Sequence, residues 1–257
     1  MCYTVHMSID MHRALQRIKD IQLAMRDTMI AEMRRTSASQ RAAVAYDGSG
    51  DTIYAIDRSI EHVLMDECRR WAEEEHPIVL IAEGLGDSGE IVLPEGAAAH
   101  DAPLRLIVDP LDGTRALMYD KRSAWILAGA APNCGSATTL ADIVVAVQTE
   151  LPTTRQYLAD VLWAVPGEGA HAERHNILTG SRQSFVVSPS RAVDLAHGFA
   201  SLTKFFPGRK AITSEIEDAL IRAVNGLGMA GKVRVFDDQY VSTGGQLYEM
   251  MVGHDRF

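Results

Sequence analysis

The spacing of apolar side chains divides the chain into helical and extended stretches. Between about residues 10 and 34, Ile18, Ile21, Met25, Met29 and Met33 recur every three or four positions. That period builds one apolar stripe and predicts a helix, with the methionines read as core filling. Residues 36–50, TSASQRAAVAYDGSG, are small and polar, end in glycines and read as a loop. A second helix carries Ile56, Ile60, Val63, Leu64, Cys68 and Trp71 on its buried face, so Cys68 occupies a packing position. Its end is marked by Pro77 and by Glu73-Glu74-Glu75. The acidic run is read as a solvated terminus, because the dipole disfavours negative charge there.

The period then changes. Ile78–Ala82 is a strand-length apolar run leading into Glu83, and residues 104–108 are a second run leading into Asp109. Residues 84–103 between them read as a loop or a small hairpin. Further runs cover 124–131, 143–147 and 157–165, the last cut by Pro166-Gly167. Phe185-Val186-Val187 reads as a short strand, and Leu195, Phe199, Leu202 and Phe206 line up as a helix face. Ser214 and Glu217 have capping-box spacing ahead of a helix bearing Ile216, Leu220 and Val224. Residues 233–236 predict a strand and 241–252 a final helix with Gly244 and Gly245 in its first turns. Helices and strands interleave without a regular βαβ rhythm, and no GxGxxG follows a strand. The expected fold is therefore a layered α+β, α/β/α/β sandwich and not a doubly wound nucleotide fold. An N-terminal α+β part over residues 1–150 and a C-terminal α/β part over 151–257 are expected.

Composition narrows the function classes. With 257 residues, 47% hydrophobic and 23% charged, the chain is globular, which excludes disordered and fibrous classes. A net charge of −9 argues against a protein that grips a nucleic-acid polymer. Cys2, Cys68 and Cys134 form neither a CxxC pair nor a disulfide framework, which points to a reducing compartment. No run approaches membrane-span length and the first residues lack a signal-length apolar stretch. A soluble, cytoplasmic protein without a membrane partner is the expectation.

The informative residues are acidic and sit where strands stop. Glu83 follows one run, and Asp109-Pro110-Leu111-Asp112-Gly113-Thr114 follows another. Pro110 fixes a backbone angle and Gly113 permits a tight turn, so Asp109 and Asp112 can point at one place. Two carboxylates so close repel unless a cation compensates, and oxygen-only donors favour Mg²⁺ over zinc. A turn alone also accounts for Asp-Pro-Leu-Asp-Gly. What adds to it is Gly113-Thr114, whose amides can cradle a phosphate and whose hydroxyl can orient a water. Cys134 lacks the Arg-bearing loop of a cysteine phosphatase.

These residues resemble the Mg²⁺-dependent, lithium-sensitive inositol monophosphatase family and, through it, the fructose-1,6-bisphosphatase superfamily. Asp109–Thr114 is similar to the family's DP[IL]DGT signature. Residues 50–57, ending in Asp57 and followed by Glu61, resemble the opening of its second helix, and Glu83 its strand-end glutamate. Ser242-Thr243-Gly244-Gly245, with Tyr248-Glu249-Met250, resembles a stretch near its last aspartate. The resemblance implies that Glu83, Asp109, the Leu111 carbonyl and Asp112 bind Mg²⁺ (with Mn²⁺ a possible substitute), together with a late aspartate, for which Asp255 is the nearest candidate. It implies that Glu83 and Thr114 orient the attacking water with Asp57 behind Thr114. Gly113 and Thr114 amides would bind phosphate, and Glu249 would meet substrate hydroxyls.

Three departures stand out. Glu83 is followed by Gly84-Leu85 in place of a second acidic residue. Arg115 replaces a small or polar residue and would either bind a second phosphate or a carboxylate, or face solvent. After Glu249 the chain reads Gly253-His254-Asp255-Arg256-Phe257, without the family's Trp-Asp pair, so the fold is expected to be shortened at the C-terminus, with apolar surface left exposed there. The implied activity is a Mg²⁺-dependent phosphomonoesterase acting on a small phosphorylated polyol or sugar, in a homodimer. A sugar or nucleotide bisphosphatase and a non-catalytic metal- or phosphate-binding relative are the alternatives.

Overall fold

The computed structural model describes residues 10–47, 52–83, 85, 89–204, 208–225 and 235–257. By its contacts the chain divides into two compact units, Met1–Phe185 and Val186–Phe257.

The first unit opens with α1, Met11–Arg35, whose N-cap Asp10 accepts from the Arg13 amide at 3.0 Å. The stripe of Ile18, Ile21, Met25, Met29 and Met33 is buried as its period requires. Part of the stretch read as a loop is ordered. It holds α2 (Ala38–Arg41) and β1 (Val44–Asp47), which pairs antiparallel with β2 (Thr52–Tyr54). Ser37 and Gln40 cap α2 reciprocally, a signal that a count of small residues hides. α3, Ala55–Glu74, buries Ile56, Ile60, Leu64, Cys68 and Trp71. Burial pushes the Cys68 thiol up to about 12 and keeps it inert. The acidic helix end differs from expectation. Glu75 is almost buried, bound by Arg13 at 2.8 Å and Arg17 at 2.5 Å, while Arg17 also reaches Glu74 at 2.6 Å. Two arginines of α1 thus offset the charge that the α3 dipole disfavours.

β3 (Ile78–Ala82), β4 (Glu90–Leu93) and β5 (Leu104–Asp112) follow, with β3–β4 an antiparallel hairpin and β3–β5 a parallel pair. After α4 (Thr114–Met118) come β6 (Ala124–Pro132), β7 (Val145–Leu151), β8 (Leu158–Val165), β9 (Gly169–Asn176) and β10 (Arg182–Phe185). They form one open eight-stranded sheet, order β10-β9-β8-β7-β6-β5-β3-β4. α1 and α3 cover one face. Leu104, Leu106 and Val108 of β5 and Ala124, Ile126 and Ala130 of β6 share a buried cluster with both helices.

Polar contacts fix α1 on this face. Gln22, 1% exposed, donates to Val147 O at 3.2 Å and accepts from the Thr149 hydroxyl at 2.6 Å. Further along, Arg26 Nη1 donates to His175 Nδ1 at 3.1 Å, so the His175 Nε2 hydrogen faces Glu173 at 3.1 Å. Burial holds His175 below its ordinary range. The Glu173 hydrogen bond opposes that shift, and Arg26 and Arg182 reinforce it.

The second unit holds β11 (Gly198–Phe199), α5 (Lys210–Asn225), β12 (Val235–Phe236) and α6 (Thr243–Met251). Residues 195, 199 and 202 do not form the expected helix face. Gly198-Phe199 pairs in parallel with β12, and Arg256 lies so close over Gly198 that a side chain would collide with it. Phe206, Val233 and Arg234 fall outside the described residues. Ser214 lies inside α5 and not at its start. Glu217 accepts from the Leu202 amide at 2.6 Å and pairs with Lys204, so its role is to hold the preceding segment. Phe199 and Phe236 are 43% and 49% exposed, with ring centres 5.9 Å apart. Among the described residues, no helix is long and apolar enough to cross a membrane.

Candidate active site

The Asp-Pro-Leu-Asp segment is strand with one irregularity. Asp109 faces Leu127 and Asp112 faces Trp125, so β5 spends three steps where β6 spends two. This is a bulge of one extra residue. Pro110 explains its place, since a proline has no amide hydrogen to give the ladder. The Leu111 amide turns instead to Asp109 Oδ1, at 3.1 Å. Gly113 follows at φ 101°, a conformation that strains any residue with a side chain, and caps the short helix α4. The bulge and the glycine together bring the backbone round from strand to helix within five residues.

Thr114 opens α4. Its hydroxyl lies 3.0 Å from Leu111 O and 3.4 Å from Asp57 Oδ1. Asp57 stands in the first turn of α3, where its Oδ2 accepts from the Tyr54 amide at 2.7 Å. One turn on, burial pushes the Glu61 carboxyl up. Glu83 lies in the turn directly after β3 and is exposed. Ala82, the last residue of β3, is in register with Val108, so Glu83 and Asp109 each come directly after a paired position on adjacent strands. Arg115 is exposed, with its guanidinium carbon 6.0 Å from the Tyr54 ring centre, at the outer limit of a cation–π contact.

The first unit thus gathers Asp57, Asp109, Leu111 and Thr114 through direct hydrogen bonds, with Asp112, Gly113 and Arg115 contiguous and Glu83 in the turn after the neighbouring strand β3. All the candidate donors are oxygens, the set that suits a hard divalent cation. Among the described residues, no group of three or more His, Cys, Asp and Glu side chains is arranged to hold a metal ion. Tyr54, which sits under Arg115 and anchors Asp57, carried no sequence signal beyond its position before the helix.

Glu249 and Asp255 lie in the second unit. The Glu249 carbonyl accepts from the His254 and Asp255 amides at 2.9 and 3.1 Å, and its carboxylate contacts His254 Nδ1. Asp255 also bridges to Phe199. The His254 ring meets Tyr248 edge-on, with centroids 6.3 Å apart.

No protein-family profile and no curated protein sequence matches the chain. Solved structures do. The extragenic suppressor protein suhB from Bartonella henselae superposes with a TM-score of 0.63 at 15% identity, covering 95% of this chain and 76% of that one. Fructose-1,6-bisphosphatase from Leishmania major superposes in its holo form with a TM-score of 0.58 at 14% identity, covering 92% of this chain and 70% of that one. Its T-state gives 0.55 at 14% identity, covering 97% and 72%. The chain therefore has the layered α+β fold of these proteins.

Proposed function

We propose that the chain belongs to the inositol monophosphatase and fructose-1,6-bisphosphatase superfamily and hydrolyses the phosphomonoester of a small polyol or sugar. The observation that supports this most is local. The bulge at Pro110 and the glycine turn put the Thr114 hydroxyl between Asp57 and the Leu111 carbonyl, in the same short segment as Asp109 and Asp112. The shared fold, one example of which is a fructose-1,6-bisphosphatase, is the second support.

In this reading Glu83, Asp109, the Leu111 carbonyl and Asp112 would hold Mg²⁺, or Mn²⁺ in its place. Such an ion supplies charge neutralisation and a more acidic water. The chain's own groups do the rest. Thr114 gives its hydroxyl hydrogen to Leu111 O or Asp57, which leaves an oxygen lone pair to accept a hydrogen bond from the attacking water. Glu83 accepts the water's proton as the water oxygen bonds to phosphorus; the bond from phosphorus to the ester oxygen breaks, and the leaving alkoxide takes a proton from solvent water to give the alcohol. The Gly113 and Thr114 amides offset charge on the phosphoryl oxygens.

Phosphate release from a panel of inositol, sugar and nucleotide phosphates, with and without Mg²⁺, tests the proposal. Mg²⁺-dependent release that is lost in Asp109→Asn is expected. A folded protein that releases no phosphate with Mg²⁺ or Mn²⁺ refutes it. A second reading, a bisphosphatase, is favoured by Arg115, exposed beside the phosphate turn. In that case Arg115→Ala lowers turnover of bisphosphates and leaves that of monophosphates unchanged.

A further inference from the structure

Arg41 closes α2 and is 6% exposed. Its partners among the described residues are backbone carbonyls. Nε donates to Met118 O at 2.9 Å, and Nη1 donates to Met33 O at 3.2 Å and Thr36 O at 2.5 Å. Met33 lies in the last turn of α1, Thr36 is its C-cap, and Met118 is the last residue of α4. These are helix-end carbonyls, which lack intrahelical partners and carry the negative end of the dipole. Two helix ends therefore stand in for the carboxylate that a buried guanidinium ordinarily needs.

The same short segment reaches the other half of the candidate site. Ala43 O, two residues beyond Arg41, accepts from the Ala55 amide at 2.9 Å, at the first position of α3. Asp57 is two residues further on. α4 is only five residues long, so a hold on Met118 is a hold on Thr114 one turn away. One side chain and a two-residue stub thus tie α4 to the start of α3, across the 3.4 Å gap between Thr114 Oγ1 and Asp57 Oδ1.

We infer that Arg41 is a positioning residue, setting the placement of Thr114 against Asp57 by clamping α4 to the C-terminus of α1. For its effect on turnover the inference rests on the phosphatase reading; for the clamp itself it does not. Lysine supplies a single charge point on a shorter reach and glutamine a neutral amide, so neither reproduces a fork aimed at carbonyls on two helices.

The test uses the full chain with Arg41→Lys and Arg41→Gln, read in two ways. By hydrogen exchange, amides of residues 113–119 and 54–57 are expected to exchange about tenfold faster or more in both variants, while strands β8 and β9 keep wild-type protection. By kinetics well below the melting temperature, kcat is expected to fall about 10- to 100-fold with KM within about threefold, because small misplacements of reacting groups carry penalties of that order. Arg41→Lys should retain more turnover than Arg41→Gln. Unchanged exchange at 113–119 overturns the inference whatever the activity. Unfolding, or exchange accelerated uniformly over the sheet, overturns it in favour of a general structural role. Local loosening with wild-type kcat refutes the positioning claim. If the wild type releases no phosphate, the phosphatase reading falls and the exchange measurement alone decides the clamp.

Discussion

Replacing Thr114 by valine separates what its hydroxyl does for stability from what it does for turnover. Valine keeps the branched shape and removes the hydroxyl. One hydrogen bond of ordinary length is lost, to Leu111 O at 3.0 Å, and a long one, to Asp57 at 3.4 Å, adds little. A bond of this kind contributes about 1 kcal/mol net. In a chain of this size that shifts the melting temperature by roughly 2 to 4 °C. A change so small leaves essentially all the protein folded at 25 °C. If the hydroxyl orients the attacking water, the transition state loses a contact worth about 3 to 4 kcal/mol, or 10²–10³-fold in kcat. Thermal unfolding and initial rates across a Mg²⁺ titration, on the same preparations, measure both quantities. Thr114→Ser, which restores the hydroxyl, should recover most of the rate. A kcat within about threefold of wild type refutes the water-orienting role, and so does a defect cured by excess Mg²⁺.

Asp109→Asn should abolish turnover and raise the melting temperature in metal-free buffer. The amide oxygen can still accept from Leu111, while repulsion from Asp112 and Glu83 is relieved; identical metal-free melting of the two proteins contradicts the second part. Stability should fall as pH drops below about 6.5, because the unfolded state then takes up a proton that buried His175 excludes. The sign is that of a depressed folded value: the contribution is full above the unfolded pKa and is lost as pH falls through the folded one. His175→Asn offers an oxygen near the Nδ1 position for Arg26 and cannot titrate, so its melting curve from pH 8 to 5 should be flatter than wild type. A parallel pair of curves counts against the assignment. Cys68 should resist a thiol reagent until the protein unfolds, while half-buried Cys134 reacts in the native state; rapid native labelling of Cys68, located by peptide mapping, would oppose this.

Elements that bury an apolar face were legible from the sequence. α1, α3 and β3 lie within a residue or two of where the apolar spacing put them, because burial of Met25, Ile60 or Leu80 imposes the period. β9 left no such trace. Its sequence Gly169–Asn176 is polar because His175 and Glu173 meet Arg26 and Lys19 on one face, while Arg174 makes a bidentate pair with Asp160 on the other, at 2.8 and 2.7 Å. Leu195, Phe199 and Leu202 misled in the opposite sense, because a helical spacing was realised as extended chain around Gly198. At the candidate site the residue types were readable, and so was the turn-forming bias of Pro110 and Gly113. The bulge was not, since it depends on what β6 places opposite. Arg41 was invisible for a related reason: its partners are carbonyls, which every residue has.

The docking of α1 through Gln22 also constrains how the polypeptide acquires its shape during synthesis. The side-chain amide of Gln22 bonds to groups 125 and 127 residues further along. A growing chain therefore releases α1 from the ribosome long before β7 exists to receive it. Until then α1 can meet α3, whose Glu74 and Glu75 pair with Arg13 and Arg17, but Gln22 has no partner to justify its burial. Strands β6 to β10, by contrast, each pair with the strand just made and can assemble as a meander in the order of translation. The docking of α1 on the sheet accordingly waits until β7 has been made, and apolar surface left exposed in the interval is open to association with chaperones or with other nascent chains.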